Sequence, residues 1–291
     1  MNRVQITIEK ELSGKTVYEV LSDSLRFSSS RIKRVKLLSD GILLNGVRAF
    51  TTAVVEEGDI LDAFCGDTEK SALAPIPLPL DILYEDNALL ILNKPAGLAV
   101  HPTQNPEEVS LENALRAYLG DAVTAHPVSR LDRGTTGLMT VAKSGFVHEL
   151  LRRAMHTDGF RREYRGICLG TPSPASGIID TPIGFDGDSR YRRTVREDGM
   201  PSRTEYELLL SQNGLSLLRL VPHTGRTHQL RVHMASVGHP LAGDWLYGTE
   251  DRDLIPRPAL HSYELWLTHP LTGETLHLTA PLPDDMQSLF P

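Results

Sequence analysis

The sequence predicts an α+β protein built from two units, the second carrying a largely antiparallel or mixed sheet. Three observations lead there. Beyond about residue 80, strand-like segments dominate and do not alternate regularly with helices, which argues against a doubly wound parallel sheet. An aperiodic stretch with three prolines, residues 66–79, reads as a linker. The length, 291 residues, suits about two domains.

In the first unit, residues 1–65, Val4, Ile6 and Ile8 alternate with polar residues as in a strand. Residues 16–25 place Val17, Val20 and Leu21 at helical spacing. Ser28, Ser29 and Ser30 are N-cap candidates for a helix over 31–38, with Ile32, Val35 and Leu38 on one face and Asp40-Gly41 as its stop. Two short strands follow at 42–44 and 59–61, and Asn45-Gly46 is a turn signal. In the second unit, residues 80–291, strands are expected at 88–92, 138–142, 203–210 and 215–221, the last two joined at Asn213-Gly214. A closing pair is expected at 260–267 and 275–279. Ser144 caps a helix with Phe146, Leu150, Leu151, Ala154 and Met155 inward, stopped near Gly159. Thr227 caps another with Leu230, Met234 and Val237 inward, stopped at Gly238.

Composition narrows the class. Hydrophobic residues are 40% and charged residues 23%, an ordinary globular balance that excludes collagen, low-complexity disorder and disulfide scaffolds. Two cysteines, Cys65 and Cys168, are too few for a disulfide framework or a zinc cluster and fit a reducing compartment. No apolar run approaches the roughly 20 residues of a membrane span, and the charged, alternating N-terminus is unlike a signal peptide. A cytoplasmic location is expected.

The formal charge of −7 excludes a uniformly basic nucleic-acid binder, but not a locally basic one. Between residues 26 and 48 the only acid is Asp40, against Arg26, Arg31, Lys33, Arg34, Lys36 and Arg48. Basic side chains on the 31–38 helix face away from its apolar stripe. They read as phosphate contacts or as a solvated face. A second cluster, Arg190, Arg192, Arg193 and Arg196 around Tyr191, lies in a glycine-rich loop. It reads as a nucleic-acid contact or as a mobile surface loop.

Three segments carry chemistry. Asp132 stands between Arg130 and Arg133, ahead of Gly134-Thr135-Thr136-Gly137. A tight loop of this kind presents a carboxylate to a cleft, or simply caps a turn. Residues 221–233 hold Arg226, Arg231 and three histidines with no acid. The histidines, His223, His228 and His233, are five apart, which a helix does not bring together, so no metal site is expected. Arg231 is free to pair with a carboxylate from elsewhere. Tyr164, after Arg162-Glu163, is a core aromatic or a stacking platform for a flipped base.

Together these blocks resemble the RluA-type pseudouridine synthases. The resemblance rests on Arg130-Leu131-Asp132 with Thr135-Thr136-Gly137, on the run from Leu92 through Lys94-Pro95 to His101-Pro102, on Gly225 to His233, and on Gly238-His239-Pro240-Leu241 with Gly243-Asp244 and Tyr247-Gly248. It covers about residues 80–280. Ser129 stands where the family usually has His, Thr136 where it has Ser, and Arg162 where it has Lys. The first unit resembles an S4 RNA-binding domain through Ser30 to Arg34, Asp40-Gly41-Ile42 with Asn45-Gly46, and Glu57 to Ile60.

The resemblance implies a pseudouridine synthase fold, a long mixed or antiparallel sheet flanked by helices, behind a small S4-like α/β domain. It implies isomerisation of uridine to pseudouridine in RNA, with neither cofactor nor metal. Asp132 would be the essential carboxylate, attacking C1′, attacking C6 or taking the 2′ proton. Arg231 would hold it, and Tyr164 would stack on the base. Arg130 would fill the place of the extruded base or contact phosphate. Lys94, Arg162, Arg226, His228 and Gln229 would line the substrate site. Arg31, Lys33, Arg34, Lys36, Arg48, Arg190, Arg192 and Arg193 would hold RNA, with ribosomal RNA favoured over transfer RNA, and the enzyme would be a monomer. Two rival readings are a nucleosidase with Asp244 or Asp186 as a second carboxylate, and an inert RNA-binding assembly factor.

Overall fold

The computed structural model describes residues 3–67, 71–105, 107–155, 157–187, 189 and 191–290. The first strands are β1 (Arg3–Thr7), β2 (Ile42–Leu44), β3 (Val47–Arg48) and β4 (Ile60–Phe64), an antiparallel sheet in the order β1-β4-β2-β3. Asn45 and Gly46 both adopt left-handed backbone, as a two-residue hairpin turn between β2 and β3 requires. Helix α1 (Val17–Glu19) starts at a capping box of Thr16 and Glu19 and runs into a π-helical turn, Val20–Ser24. Helix α2 (Ser29–Val35) is capped by the Ser28 hydroxyl, which accepts the Arg31 N–H at 3.3 Å. It ends three residues earlier than predicted because the last amides turn to tighter i−3 bonds, Leu37 to Arg34 and Leu38 to Val35.

The large sheet contains β5 (Asp81–Glu85), β6 (Leu89–Lys94), β7 (His126–Pro127), β8 (Thr136–Ala142), β9 (Phe160–Leu169) and β10 (Ser176–Asp180). A separate two-stranded hairpin pairs β11 (Ile183–Phe185) with β12 (Arg193–Val195). The large sheet is completed by β13 (Arg203–Gln212), β14 (Leu215–Pro222), β15 (Leu260–Thr268) and β16 (Thr275–Thr279). Its path is β10-β13-β14-β9-β15-β8-β6-β5, with β16 beside β15 and β7 beside β8. Every pairing is antiparallel except β15 with β8, so the sheet is mixed. The parallel contact sets His261 against Thr136 and Ser262 against Gly137. Gly137 has φ of 105°, and a Cβ there would sit 2.2 Å from the Ser262 carbonyl oxygen, so the two strands meet only over glycine. The remaining helices are α3 (Leu111–Leu119), α4 (Gly145–Ala154), α5 (Gln229–Ser236) and α6 (Asp284–Gln287).

Strand β8 is buried at every residue, because the sheet is covered on both faces. Leu138 and Ala142 face one side, with Phe146 and Leu151 of α4 and the core of the first unit. Met139 and Val141 face the other, with Tyr164, Leu220, Leu230 and Met234. The two units share an apolar core: Phe27 and Phe146 have ring centroids 4.7 Å apart.

Three expectations change. Within 66–79 the described residues are docked at both ends rather than free: Asp67 accepts the Gly145 N–H at 3.1 Å and binds His126 Nε2 at 2.9 Å, and Asn113 Nδ2 donates to the Ala74 carbonyl at 2.9 Å. His228, not Thr227, caps α5, in a left-handed conformation. Arg31 is not on the exposed basic face. It is 6% exposed, donates to the Cys65 carbonyl at 3.3 Å, lies 3.9 Å from Glu149 on α4 and sits over the Phe146 ring. Burial lowers its pKa. Arg31 therefore ties the two units together, while Lys33, Arg34, Lys36 and Arg48 are exposed.

Candidate active site

A cleft of about 800 Å³ opens between the β7–β8 loop, α4, the start of β9 and the segment leading into α5. Asp132 enters it from a turn closed by the Thr135 N–H on the Asp132 carbonyl at 3.0 Å. Its Oδ2 accepts from Arg231 Nη1 at 3.2 Å, and His228 Nε2 lies 4.0 Å away.

Arg231 is itself fixed from behind. Its Nε and Nη2 donate to the two oxygens of Asp244, both at 2.7 Å, and Asp244 is fully buried. Asp244 also accepts the backbone N–H groups of Leu246 and Tyr247. Burial works against the Arg231 charge, but the carboxylates of Asp244 and Asp132 outweigh it and raise its pKa. The outcome is a carboxylate oxygen held at the cleft by a guanidinium that has no freedom to turn.

Tyr247 closes the arrangement. Its ring lies 5.0 Å from the Arg231 guanidinium. Its hydroxyl oxygen accepts the Arg193 N–H at 3.0 Å, which leaves the hydroxyl hydrogen for His228 Nδ1, 2.8 Å away. Burial lowers the His228 pKa. A neutral imidazole that accepts at Nδ1 carries its proton on Nε2, the nitrogen that faces Asp132.

Tyr164, on β9, reaches the cleft floor from within the apolar core and is 5% exposed. Arg130 and Arg162 line the same cleft, and no carboxylate pairs with either among the described residues. The histidines at 223, 228 and 233 do not converge. His223 pairs with Glu205, and His233 is buried against Thr204 and Thr181. No group of metal-ligating side chains lies together among the described residues.

Comparison with known proteins resolves the family. Residues 88–236, half of the chain, match the RNA pseudouridylate synthase family. The chain belongs to that family. The pseudouridine synthase is 38% identical over 270 residues to the uncharacterized RNA pseudouridine synthase YjbO of Bacillus subtilis, covering 91% of this chain and 95% of the relative. It is 36% identical to ribosomal large subunit pseudouridine synthase D of Nitrosomonas europaea, over 99% of this chain and 87% of that one. Among solved structures, human RNA pseudouridylate synthase domain containing 1 superposes with a TM-score of 0.59 at 26% identity, over 72% of this chain and 86% of that chain. The protein is thus an RNA pseudouridine synthase, an isomerase by class, with a mixed α/β fold of that family.

The structure sorts the remaining predicted residues of this synthase. Asp132, Tyr164, Arg231, Arg130, Arg162, Arg226 and His228 all line one cleft. Two others act differently from expectation. Lys94 is fully buried, and its ammonium donates to the carbonyls of Pro95, Leu98 and Arg133, so it clamps the loop beneath Asp132 instead of touching substrate. Burial lowers its pKa to about 8. Gln229 borders the cleft, but its amide is used up: the oxygen accepts from the Thr224 hydroxyl and the Arg226 N–H, and the nitrogen donates to the Arg203 carbonyl and the Thr204 hydroxyl. It shapes the loop that carries Arg226 and His228.

The basic cluster predicted as a loop is the β11–β12 hairpin. Arg192 pairs with Asp186 at 3.1 Å, Arg193 stacks on Phe185 at 3.4 Å, and Arg190 lies outside the described residues. The nucleosidase reading fails on geometry, since Asp244 is sealed beneath Arg231 and Asp186 is outside the cleft. Sequence reasoning placed Asp244 only in the nucleosidase reading and Tyr247 only in a motif, and so missed both as the supports behind Arg231 and His228. Their signal was the segment Gly243-Asp244 with Tyr247-Gly248 just after α5.

Proposed function

We propose that this protein converts uridine to pseudouridine in large-subunit ribosomal RNA, with Asp132 as the essential carboxylate. The observation that carries the reading is Asp132, held by Arg231 in a cleft whose floor is Tyr164. In the reaction the C1′–N1 bond breaks and a C1′–C5 bond forms. The C5 hydrogen leaves as a proton and N1 takes one up, so nothing else is consumed. Asp132 acts at C1′, at C6 or on the 2′ proton. Arg231 positions it, and Tyr164 stacks on the uracil while it turns. Arg130 occupies the space left by the extruded base, which costs roughly a few kcal/mol to unstack. Arg162, Arg226 and His228 contact the flipped nucleotide.

Ribosomal RNA is favoured because a relative matched over nearly the whole chain is named for the ribosomal large subunit. The first unit serves as an S4-like RNA-binding domain through Lys33, Arg34, Lys36 and Arg48, and the hairpin adds Arg192 and Arg193. We place the enzyme in the cytoplasm as a monomer. No helix among the described residues is long and apolar enough to cross a membrane.

Tritium release from RNA labelled at uridine C5 tests this reading. Release from unmodified ribosomal RNA, with none from transfer RNA, is expected. Release from transfer RNA alone would overturn the substrate, and release from neither, with RNA still bound, would favour the inert assembly factor.

A further inference from the structure

Helix α4 was read from the sequence only as a packing element, yet it forms one wall of the cleft. It places His148 and Arg152 there, with Met155 just beyond its last turn. Phe146, Val147 and Leu151 point the other way, into the core. The cleft as a whole carries an excess of positive charge. Among cleft arginines, Arg231 is neutralised by Asp132 and Asp244, and Arg133 by Glu108. Arg130, Arg152 and Arg162 line the cleft with no carboxylate partner among the described residues. Uncompensated guanidinium groups around one opening, in a chain of net charge −7, mark that opening for an anion.

The same helix also holds the first unit. Glu149 accepts from the Ser28 hydroxyl that caps α2, at 3.2 Å, and Arg153 donates to the Arg26 carbonyl at 3.0 Å. Successive residues of α4 therefore face the cleft and the basic α2. His148 is half-buried and neutral near pH 7, since burial lowers its pKa, and it bonds the Pro127 backbone.

We propose that α4 is an RNA-backbone contact site, in which Arg152 holds a phosphate adjacent to the flipped uridine and directs the strand from the cleft toward the exposed Lys33 and Arg34 of α2. This inference rests on the RNA substrate proposed above. A strand that delivers a base to Tyr164 must carry its flanking phosphates out of the cleft. The α4 wall offers a cation in the cleft, and α2, tied to α4 through Ser28 and Glu149, carries the exposed Lys33 and Arg34.

The test is binding, read separately from turnover. Wild type, Arg152→Ala and Arg152→Lys are titrated with unmodified large-subunit ribosomal RNA over a range of salt. A control, Arg252→Ala, removes an exposed arginine already paired with Glu250. Losing one phosphate contact flattens the slope of log K against log salt by about 0.7 and weakens binding roughly fourfold near 150 mM salt. Arg152→Ala should show both changes, with KM raised and kcat kept, while Arg152→Lys and Arg252→Ala keep the wild-type slope. An unchanged slope and affinity in Arg152→Ala would overturn the proposal. If wild type released no tritium from any RNA, the activity reading would fail, and the salt slope would still decide the α4 contact.

Discussion

Arg231 and Asp244 meet through two parallel hydrogen bonds, Nε to Oδ2 and Nη2 to Oδ1, each 2.7 Å long, with Asp244 sealed from solvent. Removing one partner of a buried pair costs about 3–5 kcal/mol, because the other charge is left uncompensated. Asp244→Ala should lose about that much stability in urea unfolding. At a temperature where it is still folded, it should also lose most of its turnover, since Arg231 no longer has a fixed direction in which to hold Asp132. Wild-type stability in Asp244→Ala would show that the pair is dispensable.

Tyr247 makes a finer prediction. Its hydroxyl joins the Arg193 backbone to His228 Nδ1. Tyr247→Phe keeps the ring beneath Arg231 and loses only that bridge. We expect kcat to fall about tenfold, a loss of roughly 1.4 kcal/mol in transition-state stabilisation, with KM little changed. Nitrogen-15 spectra of the wild-type histidines should show His228 protonated on Nε2 alone. A proton on Nδ1 would refute the hydrogen-bond direction.

Arg31 and its neighbours on α2 should separate cleanly. Arg31→Ala removes an inter-unit tether and should lower the unfolding midpoint, leaving the salt dependence of RNA binding intact. The double change Lys33→Ala with Arg34→Ala should do the reverse, weakening RNA binding and flattening its salt slope by about 1.4 for two contacts. Equal effects of the two variants on the slope would contradict the assignment of Arg31.

His261 supplies a pH dependence. It is buried where β15 meets β8, and its ring bonds the Thr136 hydroxyl and the Ala280 carbonyl. Burial lowers its pKa to about 4. The unfolded chain takes up this proton near pH 6.5, the folded protein only near 4. The contribution is therefore complete above pH 6.5 and is lost as pH falls from 6.5 toward 4, by roughly 3 kcal/mol. Urea midpoints measured across that window should fall more steeply for wild type than for His261→Gln. Parallel profiles would remove His261 as the cause.

Much of this molecule was legible before folding. Asn45-Gly46 and Asn213-Gly214 marked hairpins because both residues must accept left-handed backbone, and Ser144 marked a helix start because its hydroxyl satisfies an orphan amide, Val147. What was hidden depended on distance in space. The burial of Arg31 follows from α4 packing against α2, more than one hundred residues later in sequence. The cap at His228 is left-handed and makes no side-chain cap bond, its ring being turned instead to the Tyr247 hydroxyl, so no local capping signal marked it. Lys94 and Gln229 look like ligand residues in a linear motif, and only their saturated hydrogen bonds reveal them as supports. The Asp132–Arg231 pairing was readable through resemblance, whereas Asp244 behind it needed the fold.

Asp132 is the residue on which the chemistry depends. Tritium release from uridine-C5-labelled ribosomal RNA should be measured for wild type, Asp132→Ala and Asp132→Asn at matched RNA occupancy. Release by wild type is expected, none above background by either variant, and RNA affinity largely retained in both. Turnover by Asp132→Asn at a rate near wild type would contradict this dependence.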